Sequence, residues 1–160
     1  ADNKLGSAHY RLVSPINPSG TNALGVDTRN NTVNAAWKDD IITTPVDNVV
    51  HLVKGTPVLL KLRSQDVIHS AFLPHFRVQM NCVPGMTTQF AFTPTKTTAE
   101  MKEAEGEDFD YVLLCNKICG ASHYNMQMKF IVETQEEYDT WMSSQITLSE
   151  KLSTQTLLLN

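Results

Sequence analysis

The run Cys115-Asn116-Lys117-Ile118-Cys119-Gly120-Ala121-Ser122-His123-Tyr124-Asn125-Met126 constrains this chain more than any other stretch. Two thiols, an imidazole and a thioether share one short segment, with no carboxylate among them. Soft transition metals prefer such donors, whereas hard cations prefer oxygen. A fold that uses the run must hold it as a loop on a rigid scaffold and bring a further ligand to it. His69 is the candidate for that ligand.

The spacing Cys-x3-Cys-x3-His-x2-Met admits three readings. Structural zinc would take Cys115, Cys119, His123 and His69 as a Cys2His2 set and leave Met126 unused. A mononuclear blue-copper site takes two histidines, one cysteine and a weak axial methionine, and leaves one cysteine over. The extra thiolate at i+4 discriminates, because two thiolates on one loop can bridge two copper ions. His69 and His123 then bind one copper each, Met126 is a weak ligand to one, and a loop carbonyl serves the other. Two thiolates with one Cu(I) and one Cu(II) leave a single positive charge, and none after reduction. A small net charge is far cheaper to bury than an isolated ion. The chemistry asked of the protein is then rigidity and partial dryness, not acid–base work, and no catalytic side chain is expected.

Bulk numbers agree with one modest domain. The 160 residues are 41% hydrophobic, enough for a real core. A net charge of −4 argues against nucleic acid and against a polybasic membrane surface. Three cysteines fit poorly with a closed disulfide framework. The longest uncharged stretch, Val78 to Pro94, is too polar to span a bilayer. The chain opens on Ala1 with no leader pattern and reads as a processed chain or a fragment of something longer.

Residues 1–48, rich in Asn, Asp, Gly, Pro, Ser and Thr, read as a polar, loop-rich extension of the same domain. Residues 49–146 carry the folded pattern, and 147–160 read as a tail. Val49–Val53 and Pro57–Arg63 read as strands; Val58, Leu60 and Leu62 share one face. Phe72 to Cys82 is extended but interrupted at Pro74, and Val83-Pro84-Gly85 is a turn. Phe90 and Phe92 share a face of the next strand. Thr97-Thr98-Ala99-Glu100 has capping-box spacing and predicts a short helix. Phe109–Leu114 leads straight into Cys115, and Gln127–Thr134 is the last strand. Thr134-Gln135-Glu136-Glu137 repeats the capping pattern before a terminal helix with Tyr138, Trp141 and Met142 on one face. Many strands with frequent turn signals predict an antiparallel β-sandwich.

Three pieces together resemble a known family: Asp66-Val67-Ile68-His69-Ser70, then Pro74 with Val83-Pro84-Gly85, then the complete CNKICGASHYNM loop. They resemble the dinuclear copper (CuA) domain of subunit II of haem–copper cytochrome c oxidases, over roughly residues 49–142. The resemblance implies an all-β, cupredoxin-like Greek-key β-sandwich with a short C-terminal helix. It implies two copper ions, with Cys115 and Cys119 bridging and His69 and His123 as terminal ligands. Met126 would be a weak ligand and the backbone carbonyl of Lys117 another. It implies a domain that accepts one electron at a time from cytochrome c and passes it to haem a of the catalytic subunit I. Oxygen is reduced there, in a proton-translocating oxidoreductase; this domain only transfers electrons. The setting implied is the periplasmic face of an energy-transducing membrane, the bacterial inner membrane, with anchoring helices absent from this chain.

The resemblance departs at Lys117, where the family usually carries a glutamate that helps hold an interface magnesium ion, a role a lysine cannot fill. Asn81 replaces a common aspartate and Cys82 a small residue. Trp37 is a candidate for the exposed tryptophan that receives electrons. The copper domain of a nitrous oxide reductase and a copper-handling protein are the alternatives.

Other residues have plainer readings. His9, His51 and His75 read as ordinary histidines, with His75 on the copper-side loop; Tyr124 and Phe76 read as packing around the site. Cys82 reads as a small buried hydrophobe. The acidic run from Glu100 to Asp110 reads as a solvated loop, or as a docking patch for a lysine-rich cytochrome.

Overall fold

The computed structural model describes residues 38, 40, 41 and 49–150. Trp37, His9, nearly all of the 1–48 extension and residues 151–160 of the tail lie outside the described residues. The chain divides into two compact units, Asp47–Ser143 and a second made of Ala1–Val46 with Ser144–Asn160. In the second, the Leu148 amide donates to the Asp40 carbonyl at 2.8 Å, and Leu148 is buried. Thr147 caps the helical residues 148–150 by accepting from the Glu150 amide at 3.4 Å. No helix among the described residues is long and apolar enough to cross a membrane.

The Asp47–Ser143 unit carries seven strands: β1 (Val49–Val53), β2 (Val58–Leu62), β3 (His69–Leu73), β4 (Val78–Cys82), β5 (Thr88–Phe92), β6 (Tyr111–Cys115) and β7 (Gln127–Glu133). Helix α1 (Thr98–Glu105) joins β5 to β6, and α2 (Gln135–Ser143) follows β7. Five strands form one sheet in the order β1-β7-β6-β3-β4, and β2 with β5 forms a second. Leu73, Val78, Tyr111, Phe130 and Val132 of the first sheet are buried, and Val58, Leu60, Phe90 and Phe92 of the second pack against that cluster. The two sheets therefore enclose one core, as a cupredoxin-like sandwich requires. The alternation read in β2 and β5 is the inward face of the smaller sheet.

One pairing departs from an all-antiparallel sandwich: β1 lies parallel to β7, Val49 opposite Lys129 and Val53 opposite Glu133. The near-continuous apolar run of β1 fits a strand covered on both sides. Leu52 enters the core. On the other face the His51 ring stacks on Trp141 of α2 at 4.1 Å, and its Nδ1 lies 2.7 Å from the Glu133 carboxylate. Such a pair needs a long crossover, which here runs through five other strands.

Local signals place the boundaries. Pro74 ends β3 and opens a 3-10 turn, Pro74–Phe76. Met86 closes the next turn onto the Val83 carbonyl at 3.3 Å, with Gly85 at φ 82, which suits a residue without Cβ. Thr97 accepts from the Glu100 amide at 3.1 Å while the Glu100 carboxylate accepts from the Thr97 amide at 2.7 Å, a complete capping box. Thr134 and Glu137 repeat it at 3.3 and 2.9 Å.

The topology sorts the loops into two poles. His69 begins β3 opposite Cys82, which ends β4. Ala71 lies opposite Cys115, which ends β6, and Gln127, which begins β7, lies opposite Leu114. Residues 63–68, 83–87 and 116–126 therefore gather at one pole. The Pro74–Phe76 turn and the whole 93–110 connection lie at the other.

Candidate metal centre

His69, Cys115 and the residues after Cys115 meet because β3 and β6 are neighbours whose ends coincide. The loop is braced on both sides. Cys115 donates its amide to the Met126 carbonyl at 3.0 Å, and Asn116 donates to the Ser70 carbonyl at 3.3 Å. Inside it, Gly120 at φ 142 makes a bend that side chains rarely permit. His123 then donates its amide to the Gly120 carbonyl at 3.1 Å, and His123–Asn125 forms a 3-10 turn. Two consecutive bends turn Cys119, His123 and Met126 back toward Cys115.

The six residues singled out from the sequence are brought together. The two sulfurs lie 3.7 Å apart. His69 Nδ1 lies 3.9 Å from the Cys115 sulfur, and His123 Nδ1 lies 3.5 Å from the Cys119 sulfur. The Met126 sulfur is 3.3 Å from that of Cys119. The Lys117 carbonyl is 3.3 Å from the Cys115 sulfur, although the lysine is otherwise exposed. One donor atom from each of His69, Cys115 and Cys119 falls within 4.8 Å of the other two. Sulfurs at this separation are far beyond disulfide length, and both cysteines are free. The spacing suits thiolates that share metal, with imidazole and thioether donors at hand.

The electrostatics split the two thiols, favouring loss of the proton at Cys115 and retention at Cys119. Burial opposes ionisation of Cys115, but hydrogen bonds from the backbone at Ser70 and Lys117 and from the imidazoles of His69 and His123 outweigh it. The thiol comes down to about 6. Cys119 is pushed up, first by burial and then by its neighbour Cys115. Without metal, one member of the pair is therefore ionised at neutral pH and the other is not.

One positioning residue was named in the sequence but given no role. Asp66 Oδ1 lies 2.8 Å from His69 Nε2, so the imidazole is held by its far nitrogen while Nδ1 faces the sulfur. The contact brings Asp66 down to about 2 and raises His69. Ser64 steadies the loop by donating to Asp66 at 3.2 Å and to the Val67 carbonyl. Metal-binding histidines are commonly oriented by such a carboxylate; an aspartate at i−3 before a candidate histidine is the signal that could have found it.

Several neighbours stand elsewhere than expected. His75 does not lie on the metal-side loop: it packs edge-on against Phe109 at 4.8 Å and Tyr111 at 5.7 Å, at the opposite pole. Phe76 is there too, stacked on Tyr111 at 4.5 Å. Both follow Pro74, and β3 has carried the chain one strand length away from His69. Tyr124 does not shield the site, because its side chain is 89% exposed. Cys82 is only partly buried, and burial raises its thiol pKa; it sits across from His69. The acidic run lies at the far pole, where Glu100 pairs with Lys54, while Asp110 pairs with Lys129.

Known proteins share this arrangement of sequence. Residues 26–134 match the model of the family cytochrome c oxidase subunit II, periplasmic domain. The chain is 37% identical over 148 residues to an alternative cytochrome c oxidase subunit 2 from Bradyrhizobium diazoefficiens, covering 92% of this chain and 46% of that one. It is 34% identical over 111 residues to cytochrome c oxidase subunit 2 from Thermostichus vulcanus, covering 66% and 29%. The chain thus spans less than half the length of these relatives. The crystal structure of the periplasmic domain of subunit II of cytochrome oxidase (CoxB) of Bradyrhizobium japonicum superposes with a TM-score of 0.52 at 23% identity, over 61% of this chain and 63% of that one, a likeness of fold. With the family match covering most of the chain, this protein belongs to the cytochrome c oxidase subunit II periplasmic domain family.

Proposed function

We propose that the chain is the electron-entry domain of a haem–copper terminal oxidase and holds a pair of copper ions between Cys115 and Cys119. The observation that carries this is the pair of free sulfurs 3.7 Å apart, with two imidazoles and a thioether within 3.9 Å of them. A zinc site would not use the thioether, and a mononuclear copper site would not use the second thiolate.

When bound, a mixed-valence copper pair supplies one-electron storage with little change in bond length. The rest is the work of the chain's own residues. Cys115 and Cys119 would hold the copper ions through their sulfurs, and the low pKa of Cys115 lets it surrender its proton readily. His69 and His123 would add imidazole ligands through Nδ1. Met126 would be a weak ligand, and the Lys117 carbonyl another. The strand ends and the Cys115–Met126 rung hold these donors rigid, which keeps reorganisation on electron transfer small.

By this reading the domain takes one electron at a time from cytochrome c and hands it to haem a of the catalytic subunit. It works on the periplasmic face of a bacterial inner membrane. The test is an EPR spectrum of the copper-loaded chain with copper counted per chain. Two coppers and the hyperfine pattern of an electron shared equally by two nuclei are expected. One copper with a single-nucleus pattern, or one zinc and no signal, would overturn the reading.

A further inference from the structure

We draw no further inference here: the strongest candidate, the side-chain cluster of His51, Glu133 and Trp141 where α2 packs on β1 and β7, carries nothing because the imidazole can offer an Nδ1 proton to the Glu133 carboxylate whether neutral or charged, and nothing in the structure shows a second position for α2.

Discussion

Asp66 holds His69 by Nε2 at 2.8 Å, and that leaves Nδ1 turned toward the Cys115 sulfur 3.9 Å away. The carboxylate therefore chooses which nitrogen of the ring is offered to a metal. Asp66→Asn keeps the size but weakens the acceptor, and Asp66→Ala removes it. Copper affinity should fall in both, by roughly tenfold in the alanine variant, the low end of the range for such partners because Asp66 is exposed. Competition with a copper chelator measures this. Unchanged affinity in Asp66→Ala would show that the ring is positioned by its strand alone.

Cys115→Ser and Cys119→Ser should each abolish the paired copper spectrum, because either change removes one bridge. Met126→Leu should keep both coppers and shift the reduction potential. A wild-type EPR spectrum in either serine variant would refute bridging, and copper loss in Met126→Leu would refute the weak-ligand role.

In the metal-free protein, ultraviolet thiolate absorbance should rise first by one equivalent near pH 6, from Cys115. Cys119 and Cys82 should ionise above the ordinary value of 9.0. A thiol that ionises more readily when folded stabilises the fold at high pH, so the Cys115 contribution grows from about pH 6 toward pH 9. The two raised thiols act oppositely: their contribution is present below pH 9.0 and is lost above it. Denaturant midpoints across this range should rise and then fall. A Cys115→Ala variant should lose the rising limb.

Leu73 is completely buried where both sheets meet. Leu73→Ala should cost about 2–5 kcal/mol, through lost burial and the cavity left behind. Tyr124→Ala, at an exposed position, should stay within about 0.5 kcal/mol of wild type. Urea denaturation of the metal-free chain compares the two directly.

Signals carried by neighbouring residues were readable in the sequence. Thr97 with Glu100, and Thr134 with Glu137, set helix starts through reciprocal hydrogen bonds that need only local spacing. Pro74 and Gly85 act through their own backbone limits, and Val58, Leu60 and Leu62 through the period of a strand. The clustering of thiol, imidazole and thioether groups was legible for the same reason, since most of them lie in one continuous run. What depends on where strands lie in space was not. His75 and Phe76 stand close to His69 in sequence, yet a whole strand separates them from it. The parallel pairing of β1 with β7 joins residues from opposite ends of the domain. The bond from Asp66 to His69 needed the loop's actual path, and the exposure of Tyr124 needed its neighbours.

The rung from the Cys115 amide to the Met126 carbonyl also bears on the order of events during biogenesis. It belongs to the protein's own hydrogen bonding and fastens the first and last donors of the loop before any ion arrives. The conformational entropy of arranging those donors is thus surrendered when the chain folds, not when metal is captured. A zinc finger is the contrasting case, because there folding waits for the ion. By the copper reading proposed above, this domain would instead mature in two separable stages, first as a folded apo-protein with its donors already arranged and then as a receiver of metal delivered later.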